Sequence, residues 1–255
     1  SDITSNSNLD INTFINQPNN ILGIEYIKAL MRFNSKINPV PLKRLGAGYH
    51  SLDTRTKLAS ATGIRTAMAN KDNISGLLPD NCLNIIKNHT TIEYNDFSTV
   101  LGSKLLSMDT LDHIEGINQD LSNRIANNKY NFTDIETFIP MLQSKNYTYS
   151  AISRALLHII LDIKTDDIKE FISNNYVNYA MILGFNKNTG ILSEINKYTK
   201  IPLVSKFATF YKEADNNQRK MLDINLKADN LYRMIYMNKT SETLPTEFQR
   251  QIIIK

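Results

Sequence analysis

Several things are scarce in this chain, and each scarcity removes a class of function. It has one cysteine, Cys82, so no intrachain disulfide can form. That agrees with a reducing cytoplasm. It has no tryptophan and only nine glycines, none arranged as a Walker-type phosphate loop, and it carries neither an HExxH nor a CxxC pattern. P-loop NTPase chemistry and simple zinc chemistry are therefore not expected, and no protein-bound metal is. No window of 18 or more consecutive apolar residues occurs, so no transmembrane helix is expected and no membrane partner is assigned. The first ten residues, SDITSNSNLD, lack the basic and apolar regions of a signal peptide.

What remains is an ordinary folding composition. Over 255 residues, 42% are hydrophobic and 21% charged, enough for one large domain or two modest ones with real cores. The net charge of +4 is spread without a Lys/Arg block, which permits a polyanionic partner and says little more.

The texture changes along the chain. Up to about residue 75, short elements alternate. A helical pattern runs from Ile21 to Phe33, with Ile24, Ile27, Leu30 and Met31 on one face. The stretch INPVPLKR (37–44) follows, where Pro39 and Pro41 favour an extended or edge-strand segment. After LGAGYH and a polar loop, another helix starts near Ser60. Beyond residue 78 the pattern is helical almost throughout, over Asn95–Ser107, Leu111–Ala126, Asp134–Ser144 and Thr148–Ile163. Asp134 and Thr148 suit N-caps, and Ile152, Leu156, Ile159, Ile160 and Ile163 form the expected buried stripe of the last helix. GFNKNTG (184–190) reads as a turn, IPLVSKF (201–207) as a short strand and Asp223–Tyr236 as a final helix. The expected fold is mainly α: a helical domain over 76–255, preceded over 1–75 by the tail of an α/β layer.

The helix start at Ser60-Ala61-Thr62-Gly63-Ile64-Arg65 admits two readings. As a cap, Ser60 or Thr62 accepts an orphan backbone N–H while Ile64 and Met68 face the core. As an anion site, the free N–H groups and dipole end attract phosphate, and Arg65 adds a planar fork. Gly63 costs about 1 kcal/mol of helix propensity relative to Ala but lets a ligand approach the backbone.

This hexapeptide resembles the S-x-T-x-I-R signature of the HIGH-type nucleotidyltransferase superfamily. With PNNILGIEYIKAL (18–30) and PLKRLGAGYHS (41–51), it resembles the tRNA(Met) cytidine acetate ligase family. QSKNYTYSAISRALLHIIL (143–161), MILGFNKNTG (181–190), IPLVSK (201–206) and LDINLKADNLY (222–232) extend the likeness over essentially the whole chain.

The resemblance implies a cytoplasmic enzyme that makes N4-acetylcytidine at the wobble position of elongator tRNA(Met). It would use acetate and ATP with Mg2+, through acetyl-adenylate. It implies a Rossmann-like nucleotidyltransferase domain ahead of a helical tRNA-binding domain. Asn19, Arg44, Ser60, Thr62 and Arg65 would contact ATP. Lys145, Tyr147, Tyr149 and Arg154, with Lys206, are candidates for RNA, because cations pair with phosphates and aromatics stack on unpaired bases. Arg124 is a weaker candidate, and neither Lys43 nor His50 receives a role. Two departures stand out. No H-x-G-H motif occurs, so this stretch is expected to be the C-terminal part of a longer enzyme, inactive alone and without a catalytic residue of its own. Met181 stands where a basic residue is expected. The rival readings are a non-catalytic RNA-binding module and a HIGH-type adenylyltransferase acting on a small metabolite.

Overall fold

Leu101, Ile114, Ile125, Phe138, Ile139, Leu142, Ile152 and Ile159 are all fully buried, and the architecture grows out from that cluster. The structure, a computed structural model, describes residues 15, 17–42, 59–187 and 189–255. The chain divides into two units, 1–89 and 90–255.

In the first unit three helices can be bounded, and no strand occurs among the described residues. Helix α1 spans Pro18–Arg32. Proline suits its first position, where the missing N–H would have no intrahelical partner. It ends where Asn34 turns left-handed (φ 47°) and the Ser35 N–H returns to the Leu30 carbonyl at 2.9 Å. Of its expected apolar face, Ile24 and Leu30 are half-buried, while Ile27 and Met31 are exposed. Residues 37–42 form neither strand nor helix. Pro39 and Pro41 have no N–H to give a ladder, and no partner strand lies among the described residues of this unit. Helices α2 (Ala61–Ala69) and α3 (Asp80–Asn88) complete it.

The second unit is a helical bundle with a small mixed end. Helices α4 (Ser98–Ser107), α5 (Gln119–Asn128), α6 (Ile135–Leu142) and α7 (Tyr149–Leu161) enclose the main core. Each large aliphatic side chain taken from water there contributes about 1.5–3 kcal/mol. Local chemistry sets the boundaries. Asp134 accepts the Thr137 N–H (2.9 Å) and Thr148 the Ala151 N–H (3.3 Å), both as expected caps. The stripe on α7 is buried at Ile152, Leu156, Ile159 and Ile160, and Ile163, past the helix end, is half-buried. Asp162 closes α7 in a left-handed conformation.

The expected helix over Leu111–Ala126 is half wrong. Leu111, Ile114 and Ile117 are core residues supplied by a loop. Gly116 sits at φ 82°, a conformation natural to glycine, and Asn118 caps a helix that starts only at Gln119, accepting the Leu121 N–H at 3.0 Å. The loop is held by the Glu115 N–H bonding the Ile163 carbonyl at 2.9 Å.

Past α8 (Thr165–Ser173) come two parallel strand pairs, each two residues long. β1 (Ala180–Met181) pairs with β3 (Leu203–Val204), and β2 (Gly184–Phe185) with β4 (Ile253–Ile254). The segment expected as a turn at 184–190 thus begins with a strand. Gly184 makes that possible, since a Cβ there would lie 2.8 Å from the Ile253 carbonyl oxygen. The strand expected over 201–207 shrinks to two residues, because Phe207 already opens α10 (Phe207–Glu213). Helices α9 (Ile191–Tyr198) and α11 (Asn216–Thr240) complete the unit. α11 is far longer than the expected Asp223–Tyr236, because Asp215 and Gln218 form a reciprocal capping box at its start (2.8 and 3.1 Å). No helix of the described residues is long and apolar enough to cross a membrane.

Candidate functional site

The α2 start is built from Ser60, whose backbone is extended and whose side chain is buried (1% exposed). Its Oγ accepts the Gly63 N–H at 2.9 Å, and its carbonyl accepts the Ile64 N–H at 2.9 Å. Gly63 and Ala67 are buried, with Ile64 and Met68 half-buried beside them. The capping reading is therefore realised in full. It leaves part of the helix end available: among the described residues, the Ala61 and Thr62 N–H groups have no acceptor. Thr62 is half-buried and Arg65 exposed, with the guanidinium donating a long 3.4 Å bond to Thr62 Oγ1. A helix end with open donors, a hydroxyl and an adjacent exposed cation can chemically receive a phosphate.

Asn19 is the second residue of α1 and exposed. It is not the cap, a position that falls to Gln17, whose side chain makes no capping bond. Arg44, Lys43 and His50 lie outside the described residues. Among the described residues no group of three or more His, Cys, Asp or Glu could hold a metal ion.

In the second unit the RNA candidates separate. The Tyr147 hydroxyl donates to Asn118 Oδ1 at 2.6 Å and its ring packs against the core, so it braces the start of α5. Tyr149, in the first turn of α7, is 42% exposed, and burial of its inner part with the nearby Glu136 carboxylate pushes its hydroxyl above the ordinary tyrosine range. Lys145, Arg154 and Lys206 are exposed. Arg124 pairs with Asp120 at 3.2 Å. Met181 is half-buried in β1 and lines a small open cleft with Leu183, Ser205, Phe207, Glu247 and Arg250. The sequence pattern did not expose this cleft, because it is assembled from strand ends and a C-terminal stretch far apart in the chain.

Comparison with known proteins fits this architecture. The HIGH Nucleotidyl Transferase family profile matches residues 2–247. A tRNA(Met) cytidine acetate ligase from Thermoanaerobacter sp. (strain X514) is 31% identical over 242 residues, 92% of this chain and 59% of that protein. One from Caldanaerobacter subterraneus subsp. tengcongensis is 35% identical over 228 residues, 86% of this chain and 56% of that protein. The chain thus spans somewhat over half the length of these curated relatives. Among solved structures, Thermotoga maritima TmcAL in its apo form superposes with a TM-score of 0.82 at 23% identity, over 94% of this chain and 61% of that one. The same protein bound with alpha-thio ATP gives 0.81 over 94% and 60%. At that identity the likeness is one of fold. On the profile match over nearly its whole length, the chain belongs to the HIGH nucleotidyl transferase family.

Proposed function

We propose that these residues serve an ATP-dependent ligase that acetylates the wobble cytidine of elongator tRNA(Met), taking acetate through acetyl-adenylate. The observation that carries this reading is the 31–35% identity to tRNA(Met) cytidine acetate ligases over 86–92% of the chain. In the proposal, residues 1–75 are the tail of the α/β nucleotide-binding domain and 76–255 the tRNA-binding part. Ser60 orders the start of α2, and the Ala61 and Thr62 N–H groups, Thr62 Oγ1 and Arg65 face ATP phosphates together with Asn19 and Arg44. When acetate attacks the α-phosphorus, the carboxylate C–O–P bond forms and the bond to pyrophosphate breaks. Charge then builds on the phosphoryl oxygens and the leaving group, where fixed N–H donors and guanidinium groups stabilise it. Mg2+ would accompany the nucleotide. The 255 residues contain no H-x-G-H sequence, so the proposal assigns them binding roles and no catalytic residue. The test is incubation of the enzyme with ATP, labelled acetate and elongator tRNA(Met). Label should enter the anticodon cytidine only when all three are present. Adenylate formation that persists unchanged without tRNA, with no label ever reaching RNA, would overturn the reading.

A further inference from the structure

The second unit as a whole gives no electrostatic reason to bind RNA. Residues 90–255 hold 19 Lys and Arg against 19 Asp and Glu. The balance is uneven along the chain. Residues 187–206 carry Lys187, Lys197, Lys200 and Lys206 against the single acid Glu194, while the rest of the unit has 15 basic against 18 acidic residues. All four lysines are exposed, and among the described residues none forms an ion pair or a side-chain hydrogen bond.

The same stretch presents apolar surface that packing leaves open. Helix α9 has no buried residue. Ile191, Ile195 and Tyr198, spaced to share one helical face, are 48%, 43% and 80% exposed. On either side of Lys206, Ser205 and Phe207 line the small cleft, whose other walls include Met181, Leu183 and the ion pair of Arg250 with Glu247. Open cations in the same short stretch as an exposed aromatic ring suit a single-stranded RNA loop, whose phosphates meet the lysines and whose unstacked bases meet the tyrosine. The tip of α7 has the poorer claim. Tyr147 is occupied by Asn118, and Glu136 lies close to Tyr149.

We infer that residues 189–206, centred on α9 with Lys197, Tyr198, Lys200 and Lys206, form the surface that docks the tRNA anticodon loop. This rests on the proposed reading of the unit as a tRNA binder. Without that reading it has no substrate.

The experiment is binding of an elongator tRNA(Met) transcript to the 255-residue chain across a salt series. It compares wild type, the triple variant Lys197→Ala/Lys200→Ala/Lys206→Ala, the single variant Tyr198→Ala, and the pair Lys145→Ala/Arg154→Ala. All these side chains are exposed, and far-ultraviolet circular dichroism should register no change in fold. The triple variant is expected to bind at least tenfold more weakly, with the slope of log affinity against log salt shallower by about 2, since each lost phosphate contact removes about 0.7–0.9. Tyr198→Ala is expected to weaken binding with little change in slope. If the triple variant binds like wild type while the Lys145/Arg154 pair weakens, the inference is overturned and the unit remains an RNA binder. If wild type binds no tRNA even at low salt, the underlying reading fails and the inference with it. If the triple variant instead loses binding to phosphatidylglycerol vesicles and not to tRNA, the surface belongs to a membrane and the inference is equally overturned.

Discussion

Replacing Ser60 by alanine separates the two roles of the α2 start, because Arg65→Ala touches the second role and not the first. Ser60 Oγ is the acceptor for the Gly63 N–H at 2.9 Å, in a place closed to water. Losing an N-cap oxygen costs about 0.5–2 kcal/mol. The lower part of that range does not apply here, because no water can replace a partner for the buried Gly63 amide. A local loss of about 1–2 kcal/mol corresponds to a factor of about 5–30 in the opening equilibrium. Amide hydrogen exchange at Gly63, followed by NMR, should therefore accelerate about 5–30-fold in Ser60→Ala. Arg65 is exposed and holds Thr62 only through a 3.4 Å contact, and alanine is the best helix former. Arg65→Ala should leave Gly63 exchange within about twofold, since surface changes stay within about 0.5 kcal/mol. Titrated with ATP, however, it should bind about ten- to a hundredfold more weakly, as a charged hydrogen bond is worth about 1.5–3 kcal/mol. Unchanged Gly63 exchange in Ser60→Ala would refute the capping argument. Unchanged ATP affinity in Arg65→Ala would remove that residue from the site.

Other consequences follow from the second unit. Phe138→Ala should destabilise it by about 3–5 kcal/mol in denaturant unfolding, since the ring is fully buried and meets Phe132 edge-on at 5.1 Å. Gly102→Ala should gain less in denaturant unfolding than the ~1 kcal/mol of helix propensity alanine offers, because its Cβ would press on the Phe132 ring at 3.1 and 3.2 Å. Tyr147→Phe should lower stability by about 0.5–1.5 kcal/mol through the lost bond to Asn118 and leave tRNA affinity unchanged. For Asp96, burial alone would raise the carboxyl, but the bonds from Lys239 and the Glu93 N–H outweigh it and hold the group below the ordinary aspartate range. A depressed folded value means stability present above the unfolded pKa of about 4 and lost as pH falls through the folded one. Lys239→Ala should flatten the stability profile in that acidic window and leave it parallel to wild type near neutrality.

Much of the bundle was legible because its signals are local. Thr148 and Asp134 announce helix starts through their own side chains, and the isoleucines and Leu156 of α7 repeat at the helical period. The failures share a cause as well. Leu111, Ile114 and Ile117 mimic a helix face, yet the chain reverses at Gly116 and buries them from a loop. Strands two residues long contain no alternation to read, and β4 pairs with a partner nearly seventy residues away. The candidate site was legible as a cap, because the Ser60 side chain and the Gly63 N–H lie three residues apart. Its RNA candidates fell mainly around α7, since chemistry at Tyr147 and Tyr149 is visible in sequence while the partners that occupy or crowd them are not.

The measurement that bears most directly on the account is nucleoside mass spectrometry of elongator tRNA(Met) from cells with and without the gene for this chain. The account predicts N4-acetylcytidine at the wobble position in the first and unmodified cytidine in the second. The same level of N4-acetylcytidine in both would contradict it.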